Sequence, residues 1–209
     1  MSDLAARLDR LESIEAIRQL ASKYALALDM RDIDALVNLY VENVRIDKNT
    51  SGRQALKAVF CEVVRSFTAS VHHVGNHIIE FDSSDKAHGL VYCQCEHEVG
   101  DKWVPVYLYY LDLYVREADV WRFRRRVPNE LYGVDMLERP TGPLKLRWPD
   151  HAPTEGTWHA HFPSWAEFWA DTAYDTAPIA PAAGPDRYLD TMRRGERRPR
   201  APNFDWMKA

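Results

Sequence analysis

The 209-residue sequence has no apolar run long enough to cross a membrane, and its opening stretch, MSDLAARLDRLESIEAIRQL, spaces acids and bases too closely for a signal peptide. A cytoplasmic protein with no membrane partner is the expectation. A concentrated charge of either sign is also missing: the formal charge of -4 is spread along the chain, so no basic stripe is offered to a phosphate backbone. That excludes nucleic acid as a partner. Cysteine is scarce, with Cys61 in a predicted helix and Cys93 and Cys95 two apart in a predicted strand, where their side chains share a face and a mutual disulfide would be strained. All three read as reduced core residues. There is no phosphate-cradling glycine loop, no dinucleotide fingerprint and no nucleophile-elbow serine, so a cofactor has no visible anchor and none is expected.

What is present is hydrophobic periodicity. Leu4, Leu8, Leu11, Ile14, Ile17, Leu20 and Tyr24 recur at three-and-four spacing, which predicts one long amphipathic helix reaching about Asp29. Asp32 is a candidate N-cap for a second, short helix through Ile33, Leu36, Val37 and Tyr40. The segment from Val41 to Asp47 reads as a first strand, and Leu56, Val59, Phe60, Val63 and Val64 restore helical spacing as far as about Phe67. From Ser70 the period becomes two. Strands are predicted over Val71 to Phe81, Ala87 to Val99, Trp103 to Arg116 and Val120 to Val127, joined by short polar connections suited to antiparallel hairpins. Helices followed by a meander indicate an α+β domain in which a curved, mainly antiparallel sheet leaves a cavity against the long helix.

Beyond about Leu137 the composition changes, since ten of the twelve prolines and five of the seven tryptophans lie there. The expected organisation is a domain over residues 1–139 and a partly ordered Pro/Trp-rich C-terminal extension over 140–209. Within it, Phe162 to Trp169 suggests a short capped helix with an aromatic face, and Arg193 to Lys208 looks weakly folded. The extension either covers the pocket mouth or wraps a neighbour, and either arrangement brings Trp165 or Trp169 near a site. Its apolar surface and that of the long helix suggest a homo-oligomer, a dimer or trimer.

Several segments together resemble the SnoaL-like family of the nuclear transport factor 2-like superfamily. They are Ile14 to Leu20 opening the long helix, Tyr24 and Asp29 near its end, Gly52 to Leu56, His72 to His77, Tyr110 to Arg116, and Trp121 to Arg126. The resemblance covers about residues 6 to 137 and implies a cone-shaped fold around a hydrophobic pocket. The family includes polyketide cyclases, scytalone-dehydratase-like and bile-acid dehydratases, a dehydrochlorinase, epoxide hydrolases and cofactor-free lyases acting on aromatic compounds, besides members without known catalysis. Several of the lyases pair an Asp near the end of the long helix with a His early in the first long strand, positions that match Asp29 and His72 here.

The resemblance therefore implies a cofactor-independent lyase or dehydratase, with His72 as general base and Asp29 fixing its tautomer. The implied substrate is hydrophobic, aromatic, polyketide-like or steroid-like; C–C cleavage releasing a small carbonyl would use the same base. Tyr24, Tyr110, Asn76 and Arg126 are the candidate substrate-binding residues, the phenols as hydrogen-bond donors and the guanidinium as a fixed cation. Plainer readings stand beside these. His72 can be a structural hydrogen-bonder, Asp29 a cap for the next helix, Tyr24 a core tyrosine, and Arg124 to Arg126 the solvated charges of an edge strand. His72, His73, His77, His97, His159 and His161 raise the question of a metal. No metal site is expected, because His73 and His77, on one strand parity, lie four residues apart and no Cys or carboxylate cluster completes a standard set. Rival functions are a non-catalytic small-molecule binding protein, an epoxide-hydrolase-like enzyme in which Asp29 activates water, and the small subunit of a ring-hydroxylating dioxygenase.

Overall fold

The structure is a computed structural model that describes residues 3–157 continuously and, beyond them, 159, 162–170, 173, 176, 178, 179 and 189. The predicted long helix is α1 (Asp3–Asp29), the short one α2 (Ile33–Asn38), and the third α3 (Arg53–Val63), continued by a 3-10 turn over Val64–Ser66. Four strands follow, β1 (Ala69–Phe81), β2 (Lys86–Val99), β3 (Lys102–Glu117) and β4 (Val120–Gly133), and then α4 (Pro163–Ala170). The strands form one antiparallel meander in the order β1-β2-β3-β4, so β1 and β4 are the edges.

The turn between α1 and α2 aims the residues that matter. Arg31 ends α1 in the left-handed conformation, with φ 59°, where its amide donates to the Leu28 carbonyl and the Asp32 amide to that of Ala27. These two bonds make a Schellman cap, closed here by an arginine where glycine is usual. Asp32 then caps α2 by accepting from the Ala35 amide at 3.0 Å, which leaves the Asp29 carboxylate free of capping duty. The amphipathic stripe of α1 is buried only from Ile17 onward; Leu4, Leu8 and Leu11 remain exposed.

The strand expected over Val41 to Asp47 is not formed. Only single bridges occur there, Tyr40 with Phe123 and Arg45 with Ser51. The reason is local: the Asp47 carboxylate accepts from the Asn49 and Thr50 amides at 2.7 and 2.8 Å, and the Gly52 amide donates to Val44 at 2.7 Å. A turn therefore satisfies backbone groups that a ladder would otherwise need.

Three irregularities decide which side chains face the helices. The β1–β2 register slips between Val74 and His77, and the β3–β4 register slips at Arg124 and again at Leu131. Each inserts one residue, and since strand side chains alternate with period two, each insertion reverses the phase. His72 and His77 thereby share the inner face while His73 is exposed, correcting the parity expected for His73 and His77. Phe123 and Arg126, an odd number apart, likewise both point inward. The strand also runs on past Pro128 to Gly133, because an edge strand tolerates a residue lacking a backbone donor.

The main core lies between the inner face, α1 and α2. A second apolar cluster, built on Leu90, Tyr109, Leu131 and Leu189 with Phe162 beside it, covers the outer face. Trp165 belongs on that side, its ring 5.6 Å from that of His159, which itself accepts or donates at 2.8 Å to the Tyr92 hydroxyl. Neither Trp165 nor Trp169 lines this chain's own cavity, whereas Trp148 does. His161 and the segment Arg193 to Lys208 lie outside the described residues.

Candidate active site

Between α1, α3 and the inner sheet face is a cavity of about 260 Å³, close to the lower end of small-molecule sites, roughly 300–1,000 Å³. Its walls are mostly apolar, with Leu56, Val59, Phe60 and Val63 from α3 facing Val106 and Leu108 from β3. The stretch 146–154 from beyond β4 completes the enclosure through Leu146, Trp148 and His151. It is held by backbone bonds between Gly133 and both Lys145 and Arg147, at 2.9 and 2.7 Å.

Asp29 and His72 meet at this cavity. The His72 Nδ1 lies 2.7 Å from Asp29 Oδ1, the His72 amide donates to Oδ2 at 2.8 Å, and the Ser70 hydroxyl donates to Oδ1 at 2.8 Å. Arg31 in turn donates to Ser70 Oγ at 2.9 Å. Burial works to raise the Asp29 carboxyl, but the hydrogen bond and charge of His72, then the Ser70 hydroxyl and the His72 amide, outweigh it and hold the carboxyl below its ordinary value. The imidazole is 5 % exposed, lines the cavity, and among the described residues has no hydrogen-bond partner for Nε2. Asp29 is thus oriented as a partner of His72, not as a helix cap.

His97 flanks this pair, its ring edge-on to His72 at 5.8 Å and to Trp148 at 5.2 Å. Burial, followed by the neighbouring His72, lowers its pKa to about 4, so near neutrality it is an uncharged wall of the cavity. Cys95 and Cys93 sit opposite His72 and Val74 as free thiols, 3.6 Å apart.

Farther along the inner face, Arg126 makes a bidentate pair with Asp112 at 2.9 and 2.8 Å, with both side chains almost fully buried. The guanidinium lies over the rings of Tyr24, Tyr110 and Phe123 at 4.5, 4.1 and 4.4 Å. The Tyr114 hydroxyl donates to Asp112 at 2.7 Å and lies 3.0 Å from His77 Nε2. Burial holds the Tyr24 and Tyr110 phenols well above their usual values, so both stay protonated. Of the expected residues, Asp29, His72, Tyr24, Tyr110 and Arg126 are therefore brought together, whereas Asn76 is not. It occupies the β1 irregularity, is exposed, and does not line the cavity, because the inserted residue turns it outward.

Among the cavity residues with no place in the expected site are His97, Glu130, Trp148 and His151. His97 shares strand parity with Cys93 and Cys95, a signal the sequence carries; Glu130 was hidden behind Pro128, where a strand normally stops. Trp148 and His151 have no periodic signal at all. Among the described residues no three His, Cys, Asp or Glu side chains converge as a metal set.

A helix-covered antiparallel meander with a mostly apolar cavity and a carboxylate-bound imidazole defines an α+β fold of the nuclear transport factor 2-like kind. The chain belongs to the SnoaL-like domain family, whose signature matches residues 9–127, more than half of it. An uncharacterised protein of Mycobacterium tuberculosis (strain ATCC 25618 / H37Rv) is 27% identical over 139 residues, covering 63% of this chain and 92% of its own. Among solved structures, one described as "Putative Scytalone Dehydratase" from Novosphingobium aromaticivorans DSM 12444 is 26% identical, with a TM-score of 0.54 over 66% of this chain and 97% of the other. The hexachlorocyclohexane dehydrochlorinase LinA-type3 from Novosphingobium barchaimii LL02 shares the fold at 23% identity, with a TM-score of 0.57 over 66% and 99% of the two chains. No helix among the described residues is long and apolar enough to cross a membrane.

Proposed function

We propose that this protein is a cofactor-independent lyase or dehydratase acting on a flat, apolar small molecule, with His72 as general base and Asp29 as the group that fixes its tautomer. One observation carries the reading: Nδ1 of His72 is engaged by Asp29 at 2.7 Å while the ring lines an apolar cavity and Nε2 has no partner among the described residues. A ring that donates from Nδ1 presents its lone pair at Nε2, and the adjacent carboxylate stabilises the imidazolium formed when a proton is taken.

In a dehydration, Nε2 removes a proton from carbon, the released electron pair forms the C=C bond, and the neighbouring C–O bond breaks. The departing hydroxyl leaves as water once it is protonated, for which Tyr24 and Tyr110 are neutral donors in reach of the cavity. Removal of a hydroxyl proton instead, with collapse to a carbonyl and breakage of the adjacent C–C bond, needs the same base; the electron pair of that bond passes to the departing carbon, held as an enolate by a neighbouring carbonyl of the substrate, which takes back the proton from the imidazolium. Arg126 is a fixed positive edge beside both phenols, where negative charge developing on the substrate is stabilised. The relative described as a dehydratase, at 26% identity, supports the same class of reaction.

We further take residues 1–139 as the domain and 140–209 as its extension, and expect a homo-oligomer that covers Leu4, Leu8 and Leu11. The test is a panel of aryl-substituted alcohols and hydroxyketones incubated with the full chain and followed by mass spectrometry for loss of water or release of an aldehyde. Product formed by the wild type and absent with His72→Ala supports the proposal. Product formed equally by that variant, or carrying oxygen-18 from solvent, replaces it with a hydrolase or with catalysis elsewhere.

A further inference from the structure

Across the inner face, side chains stand in rows that run from edge to edge. His72, Cys95, Val106 and Gly133 form one row; Val74, Cys93, Leu108 and Glu130 form the next. His72 therefore rises from one edge strand and Glu130 from the other, three strand spacings or about 14 Å apart along the sheet. Both line the same cavity. A ligand seated there lies between them.

Glu130 is unusual in its company. Its backbone carbonyl accepts from both the amide and the hydroxyl of Thr157 at 2.8 Å, but among the described residues its carboxyl group has no hydrogen-bond or ion-pair partner. The segment that encloses it fits closely, since a Cβ added to Gly156 would stand 2.0 Å from the Leu131 carbonyl oxygen. Burial without a compensating cation pushes its pKa up to about 7. An unpartnered carboxyl facing a mostly apolar cavity is costly as an anion and useful as an acid, because the protonated form donates a hydrogen bond.

We propose that Glu130 is a specificity-determining residue of this cavity, its carboxylic acid donating a hydrogen bond to an oxygen of the substrate at the end remote from His72. The inference rests on the cavity being the substrate site but not on the chemistry at His72. It makes the substrate class an apolar aromatic molecule that bears a carbonyl or hydroxyl oxygen distant from the atom that loses its proton.

Arg45, Arg125, Arg126 and Arg147 also line the cavity, as do the imidazoles of His72, His97 and His151, of which His97 is already uncharged near neutrality. Ionisation of Glu130 removes a donor and leaves an unpaired charge against the ligand, and the Glu130 variants isolate that contribution from those of the other groups.

The test is calorimetric binding to the full chain of 2-acetylnaphthalene, whose oxygen only accepts, and of 2-ethylnaphthalene, which has none, from about pH 6 to about pH 9. Wild type should prefer the ketone, with affinity for it falling about tenfold as pH rises, the worth of one hydrogen bond and a desolvated carboxylate. Glu130→Gln, whose amide still donates, should keep the preference and lose the pH dependence, and Glu130→Leu should lose the preference while still binding 2-ethylnaphthalene. Because the readout is affinity and not turnover, failure of the elimination chemistry leaves this result untouched. A pH-independent preference in wild type, or the same profile in Glu130→Gln, overturns the assignment, as does binding of neither probe by wild type.

Discussion

At the residue scale, the Asp29–His72 pair separates orientation from basicity. Replacing His72 by Ala removes the base, and turnover should fall by about 10²–10⁴-fold with the unfolding midpoint little changed. Asp29→Asn keeps the shape of the carboxylate but lets Nδ1 become the acceptor, so the loss should appear in kcat more than in KM. Steady-state kinetics beside thermal melts checks both. Arg126 presents the opposite case, because its charge is matched by Asp112 in the core. Arg126→Ala leaves that carboxylate buried and unpaired, which should destabilise the fold by about 3–5 kcal/mol in chemical denaturation. Any loss of activity in that variant has to be read after correcting for folded fraction. Asp29 and His72 were legible as a pair in the sequence because the family pattern carries them. Asn76 was misplaced because one inserted residue reverses a strand.

At the element scale, inserted residues in β1 and β4 assign the inner face. Without the extra residue at Arg124, Arg126 would alternate outward and the Tyr24–Tyr110–Phe123 cage would lose its cation. Periodicity locates strands well but is blind to a single extra residue, which is why Arg124, Arg125 and Arg126 were indistinguishable before the register was known. The segment after β4 is the other decisive element. Gly156 has no room for a side chain against Leu131, so Gly156→Ala should lift this segment from β4 and cost about 1–3 kcal/mol. Tryptophan fluorescence should report the shift through Trp148, whose ring packs on Phe67 and His97. An unchanged melt and spectrum would show that the backbone absorbs the methyl group elsewhere.

At the scale of the whole molecule, stability should depend on pH through buried histidines. Burial first, and then Arg126 and Arg18 for His77 or His72 for His97, lowers both from the usual 6.5 to about 4. The unfolded chain binds these protons at a higher pH than the folded one. Stability is therefore complete above about pH 6.5 and declines as pH falls toward about 4, where the folded form is protonated as well. Asp29, depressed in the fold, adds a further loss in the acid range below the ordinary carboxylate value. Melting temperatures measured stepwise from neutral to acid pH should fall over this window, and His97→Asn should flatten the slope whatever it does to the midpoint at pH 7.

The amino-acid sequence by itself determined the element order, the hairpins and the apolar stripe of α1, because apolar periodicity and capping residues act over a few positions, and the family resemblance singled out Asp29 and His72. Only the tertiary structure decided that Val41 to Asp47 turns instead of pairing, that Arg126 faces inward, and that Glu130 and Trp148 belong to the cavity. Those outcomes depend on strand register and on a chain segment folding back across the sheet, and neither leaves a period for local spacing to reveal.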